Sequence, residues 1–201
     1  MYLVNRKFFV FFFILFFGIT TQAQSMNNAM QPVKNSIRDT DEATVSEIDR
    51  DANIALELLK SEIHDSNIII DQAYGYLIFP RVVKVGIGVG VETGEGVLRI
   101  DGSNADYYRL SSGSLGVQFG IQTKAIVVAF MTKESLSDFR NNLSWKVGVD
   151  GSVTIIDQGM GKSIDTDSIF DSIVAFVFDS RGLMFSLTME GTVFTLLDKS
   201  N

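Results

Sequence analysis

Over residues 73–122 the chain alternates apolar and small residues with a period of two. Val85, Ile87, Val89 and Val91 fall on one face, and Gly86, Gly88 and Gly90 on the other. Successive side chains of a strand point to opposite faces, so this alternation predicts a strand. One of its faces is β-branched and the other is bare backbone. The pattern returns at Leu115, Val117, Phe119 and Ile121, opposite Gly116, Gln118, Gly120 and Gln122. A shorter echo is Val147 and Val149 flanking Gly148. Glycine weakens a strand through lost entropy and lost packing. Three in register predict that another sheet, an aromatic ring or a ligand approaches that face closely. Glu92, Gly94, Glu95 and Gly96 predict a solvent-exposed hairpin turn joining residues 83–91 to residues 93–101.

The period changes elsewhere. Ile48, Ala52, Ala55, Leu56, Leu59 and Ile63 follow a helical stripe over residues 44–63, opened by the capping box Thr44-x-x-Glu47. The polar face carries Glu47, Asp49, Arg50, Glu57 and Lys60. It lacks the basic and aromatic bias of a membrane-surface helix, which predicts packing on the sheet. A shorter helix is predicted over residues 66–74, and another over residues 133–141 with Thr132 as its cap. Strands are predicted over residues 123–131, 145–156 (opened by Trp145), 169–178, 183–189 and 192–197. The sum is an α+β fold: N-terminal helices packed on a curved, mostly antiparallel, barrel-like β-sheet.

The N-terminus follows a different rule. Arg6 and Lys7 precede an unbroken apolar run over residues 8–17, and small residues follow at Thr21-Gln22-Ala23. This is the layout of a cleaved signal peptide over residues 1–23. The apolar run is about half the roughly 20 residues that a spanning helix needs. Residues 24–43 read as a flexible polar leader, and residues 44–199 as a single domain. Without residues 1–23 the chain has 15 Lys and Arg against 24 Asp and Glu, a formal charge of −9. That balance argues against nucleic acid, which calls for a basic footprint. It also argues against simple electrostatic attachment to anionic lipid. Cysteine is absent. That excludes disulfides, thiolate metal sites, cysteine nucleophiles and a lipoprotein anchor. The expectation is a periplasmic or secreted protein.

Familiar chemical motifs fail on spacing. A dinucleotide fingerprint starting at Gly86 and Gly88 needs glycine where Val91 stands, and a helix after it. Gly161-Lys162-Ser163 resembles the end of a phosphate-binding loop, but Ile156 occupies the position of the required glycine. Asp165, Asp167 and Asp171 lack the alternation of a calcium loop, since Ile169 and Phe170 interrupt it. His64 is the only histidine, with no partner for a metal or nucleophile site. The pattern calls for no catalytic residue, metal or cofactor. It leaves a basic trio in an acidic chain: Arg81 and Lys84 at a strand entry, and Arg99 ending the next strand. If residues 83–91 pair with 93–101, Arg99 approaches Lys84 and forms a local anion site.

Phe79-Pro80, Val82-Val83-Lys84, Gly86, Gly94-Glu95-Gly96-Val97-Leu98, Tyr107-Tyr108 and the Ser114-to-Gln118 motif with Gly120 and Gln122 resemble the SYLF domain family. The resemblance resumes at Asp157, Gly159-Met160, Lys162-Ser163, Ala175-Phe176, Phe178, Gly182-Leu183-Met184 and Gly191. It implies lipid binding without catalysis, through phospholipid head groups or an envelope surface. The implied contacts are Arg81, Lys84, Arg99 and Lys162. Pro80, Gly86, Gly88, Gly90, Gly94, Gly96, Gly116, Gly120 and Trp145 serve as structural positions. Fungal members also bind actin, which is not expected as a partner of an exported chain. A structural or assembly protein that binds a partner in the envelope is the alternative reading.

Overall fold

The computed structural model describes residues 43–157, 171–182 and 189–199, together with Gln31. The expected signal peptide, the leader before residue 43 and Lys162 lie outside the described residues. So do Asp165, Asp167 and most of the strand expected over residues 183–189. The long described stretches belong to one compact unit, Ile37–Asn201.

Helix α1 spans Val45–Glu62. Its capping box forms: Glu47 N donates to Thr44 Oγ1 at 3.3 Å, and Thr44 N donates to Glu47 Oε2 at 2.9 Å. These bonds satisfy donors that a helix start would otherwise leave unpaired. The Thr44 backbone N–H, and after it the Thr44 hydroxyl donating to Glu47 Oε2 at 2.7 Å, hold the Glu47 carboxyl below its ordinary range. The stripe from Ile48 to Leu59 is buried, as its spacing predicts. Helix α2, Ser66–Gln72, follows a left-handed Asp65. Helix α3, Lys133–Asn141, starts at Thr132, whose hydroxyl accepts from Ser135 N at 3.1 Å.

The strands are β1 Gly75–Ile100, β2 Ser103–Phe130, β3 Ser144–Lys146, β4 Thr154–Asp157, β5 Ile173–Gly182 and β6 Val193–Leu197. They form one sheet in the order β3-β6-β2-β5-β4, with β1 paired to β2 as well. All pairings are antiparallel except that of β4 with β5. The sheet is mixed and curls into a half-barrel, in agreement with the α+β expectation.

Two expectations about the strands need correction. Glu92 to Gly96 is not a turn: β1 runs straight through it, and Glu92 pairs with Ser112 while Gly96 pairs with Tyr108. The hairpin turns instead at Asp101 and Gly102, between the paired Ile100 and Ser103. Both turn residues have positive φ, 51° and 74°. Two-residue hairpin loops favour that conformation because it matches strand twist, and Asp-Gly supplies it readily. The strand expected over residues 145–156 is also broken. Gly148 adopts φ 82°, and the Asp150 carboxylate accepts from Lys146 N at 2.6 Å. That turn leaves Val149 exposed and separates β3 from β4.

The β1–β2 hairpin folds back on itself. A β-carbon on Gly96 would collide with the carbonyl oxygen of Ile78. One on Gly94 would stand 2.7 Å from the Arg81 carbonyl, and one on Gly75 3.1 Å from that of Arg99. The early half of β1 therefore crosses its own late half at backbone contact, which glycine alone permits here. The fold falls at the glycine-rich middle. Ile87 pairs with Phe119 but Val89 with Leu115, leaving Gly88 opposite three residues that include Gly116. A bulge of this kind bends a strand and raises its twist.

Both faces of the sheet are covered. α1 and α2 lie on one face with Ile78, Val97, Ala125, Val127, Ala129, Val174, Phe176 and Phe178. The other face holds Leu77, Phe79, Val82, Leu98, Tyr108, Leu110, Ile126, Val128, Phe130, Ala175 and Val177 with Phe139, Trp145 and Phe194. Burial on both faces explains why residues 173–178 read as an unbroken apolar run.

Candidate functional site

The structure separates the basic trio that the sequence analysis joined. Arg99 is 8% exposed. Its Nε donates to Asn104 Oδ1 at 2.9 Å and its Nη2 to Asn53 Oδ1 at 2.8 Å. It fastens the end of β1 to α1 and does not approach Lys84, because β1 pairs with β2 and not with itself. Lys84 is buried, at 5% exposure, and faces Gln122 across the ladder. It is therefore not the exposed cation that the strand-entry reading expects.

Arg81 is exposed. It follows Pro80 in a bulge between the paired residues Phe79 and Val82. Proline has no N–H for the ladder, so a bulge is one of its few places within a strand. The bulge turns Arg81 into a groove of about 400 Å³ between α1 and the sheet. Pro80, Lys124, Ala125, Asp179 and Arg181 line the sheet side of this groove, and Ile54 and Leu58 line the helix side. Arg181 Nε contacts Asp179 Oδ1 at 3.0 Å, but Arg81 makes no ion pair or hydrogen bond among the described residues. Ile54 lies outside the buried stripe of α1 and is 61% exposed. The groove thus sets an apolar helix surface beside two arginines.

Two further polar groups lie on the two faces of the hairpin, where sequence reasoning expected solvent. Glu92 and Glu95 are buried, at 7% and 3% exposure. Lys124 Nζ meets Glu92 Oε1 at 2.9 Å. Arg109 Nη2 meets Glu95 Oε1 at 2.9 Å, and Lys199 Nζ meets its Oε2 at 2.6 Å. The two glutamates are three residues apart in a regular stretch of β1 and point to opposite faces of the strand, Glu92 toward Lys124 and Glu95 toward Arg109 and Lys199. Gln122 entered the sequence analysis only as a motif position, and Lys124, Arg109 and Lys199 were not singled out. The sequence signal that joins Gln122 and Lys124 is the alternation, which puts both on the face of Ile126 and Val128.

The structural positions fall as follows. Gly86 and Gly90 are buried in β1, and Gly86 pairs with Gly120. Gly94 and Gly96, expected in a turn, instead carry a close approach of backbone. Gly120 has φ 136°, and a β-carbon there would meet nothing within 4 Å. Trp145 is buried between Phe139 and Phe194, with ring centroids 5.7 and 6.0 Å away. Asp171 accepts from Thr154 Oγ1 at 2.7 Å. Among the described residues no three His, Asp or Glu side chains gather as metal ligands. None of the helices there is long and apolar enough to cross a membrane.

No curated protein shows significant similarity to the chain. Residues 111–201 match the model of the Ysc84 family, described as Las17-binding protein actin regulator, in agreement with the SYLF resemblance read from the sequence.

Proposed function

We propose that this domain is a non-catalytic lipid-binding module of the cell envelope, exported and released from its signal peptide. The match of residues 111–201 to a family of binding domains supports a non-catalytic role. The single observation that carries the lipid reading is the groove at Arg81. An exposed, unpaired guanidinium stands beside the exposed Ile54 of α1. A guanidinium fork suits a phosphate group, and the helix surface suits the start of an acyl chain. The formal charge of −9 after signal removal cannot draw the protein broadly to anionic membranes, so binding is local and shape-dependent. Exposed charges are screened beyond about 8 Å at physiological salt. Apolar burial is not weakened by salt, so vesicle binding has only modest salt dependence.

The test is co-sedimentation of the secreted form with phospholipid vesicles, alongside mass spectrometry of co-purified lipid. Arg81→Ala weakens sedimentation and leaves the melting temperature within error. Absence of both vesicle binding and co-purified lipid overturns the reading in favour of a protein partner in the envelope.

A further inference from the structure

The polar end of the inner face has an unmet requirement. Lys84 and Gln122 are directly opposed across the β1–β2 ladder, at 5% and 7% exposure. Opposed β-carbons lie about 5 Å apart, so the two side chains share one space. Lys124 follows two residues after Gln122 on the same face, and its ammonium is taken by Glu92 at 2.9 Å. The group thus holds two ammonium ions and one carboxylate. Lys84 itself makes no ion pair or hydrogen bond among the described residues. The Gln122 Oε1 atom is buried and receives no hydrogen bond. A buried charge without a counter-ion and a buried acceptor without a donor are each unfavourable. The cluster lacks one negative charge and one hydrogen-bond donor.

Access is built in. The next rung along the same face is Gly86 opposite Gly120. Neither has a side chain to roof the cluster, and the space where a Gly120 β-carbon would stand is open.

We infer that Lys84 and Gln122 form a receptor for a phosphoester that also carries a hydroxyl group. The phosphoryl oxygens accept from the Lys84 ammonium, and the hydroxyl donates to Gln122 Oε1. A simple carboxylate offers only acceptors and leaves Gln122 unsatisfied. Free glycerol phosphate and the head group of a glycerophospholipid share the required chemistry. The site is inside the folded hairpin and does not rest on the groove at Arg81.

The experiment measures the full chain in glycerol phosphate, against sodium chloride and sodium acetate at matched ionic strength. Glycerol phosphate raises the melting temperature saturably, and the two controls do not. Gln122→Glu places an anion beside Lys84 in cis, and Lys84→Met removes the charge. Both variants keep or raise the melting temperature without ligand, and both bind glycerol phosphate at least about tenfold more weakly. No saturable shift for the wild type overturns the site, as does wild-type affinity in Gln122→Glu. Phosphatidylglycerol vesicles separate the two sources. A glycerol phosphate response without vesicle binding supports this site for a free phosphoester and defeats the lipid reading alone. Vesicle binding that survives Gln122→Glu, without a glycerol phosphate response, defeats this site alone.

Discussion

The inner face of the folded hairpin has two ends built on opposite principles. At one end Phe139 lies within 6 Å of four rings: Tyr108 and Phe130 at 4.8 Å, Trp145 at 5.7 Å and Phe194 at 5.9 Å. At the other end Lys84, Gln122, Lys124 and Glu92 are buried with one ion pair among them. β1 and β2 supply the charged end, whereas β2 gives the aromatic end only Tyr108 and Phe130, and α3, β3 and β6 bring the other rings. Burial is nearly complete in each, so burial alone does not report how a region contributes. The aromatic end gains from every contact, roughly 1.5–3 kcal/mol for each buried Phe side chain. The charged end must offset desolvation with pairing, and well-paired buried ions often contribute little net stability. A region that is buried but incompletely paired points to binding more than to folding.

The largest expected effect tests the aromatic end. Phe139 is the side chain by which α3 reaches the sheet, and it is the only residue of α3 that is buried. Phe139→Ala leaves a cavity among four rings and costs about 3–5 kcal/mol. Urea unfolding followed by Trp145 fluorescence measures this. A loss below about 1 kcal/mol would mean that the rings close over the gap and the end is not tightly packed.

The charged end predicts an asymmetry between its two lysines. Lys124→Met strands Glu92 as a buried, unpaired carboxylate, which costs about 3–5 kcal/mol. Lys84→Met removes a charge that has no partner, so stability is unchanged or improved. Equal losses in the two variants would show that Lys84 is paired in solution and would erase the contrast with Lys124.

Between the two ends, the crossing of β1 over itself depends on Gly96. Gly96→Ala forces a methyl group against the Ile78 carbonyl and the Phe79 ring. Overpacking of this kind costs about 1–3 kcal/mol. Gly120→Ala is the comparison, since its added methyl group meets open space and is strained only by φ 136°. Loss of stability in Gly120→Ala without loss in Gly96→Ala would place the close approach elsewhere.

Local rules carried much of this fold. The capping box at Thr44 and the stripe from Ile48 to Leu59 placed α1, and Thr132 placed the start of α3. The close approach at Gly94 and Gly96 was not readable, because the partner is β1 itself and self-crossing depends on where the hairpin turns. Asp101-Gly102 carried that signal, but the glycines near Glu92 competed with it and pointed to the wrong turn. Once the turn is misplaced, Lys84 and Arg99 appear as neighbours and Glu92 and Glu95 appear solvated. The candidate site suffered most for this reason. A charged residue on a strand reads as exposed until the opposite face is known. The pairs Lys124–Glu92 and Arg109–Glu95 join residues 32 and 14 positions apart, and only the folded ladder reveals them.

The smallest effect is silent at neutral pH and sharpens the contrast in alkali. Burial, and next to it the Asp106 carboxylate, pushes the Tyr108 hydroxyl up to about 12 from an ordinary value of 10, with Arg140 opposing. Folding thus holds the phenol neutral where the unfolded chain would ionise it. The stabilisation is complete below pH 10 and is lost progressively as pH rises from 10 to about 12. Tyr107 shifts in the same direction, through burial and then its hydrogen bond to Asp49, so it adds to the same window. Tyr108→Phe keeps the ring in the aromatic cluster and removes the titrating group. Its unfolding free energy should match that of the wild type near pH 8 to within about 1 kcal/mol. Between pH 10 and 12 it should fall less steeply, and Tyr107→Phe in the same background should flatten the slope further. The phenolate absorbance of the native protein should rise for Tyr108 only near pH 12. Ionisation of Tyr108 at pH 10 in the folded state would show water at the aromatic end, and the two ends of the hairpin would then differ in side-chain chemistry but not in dryness.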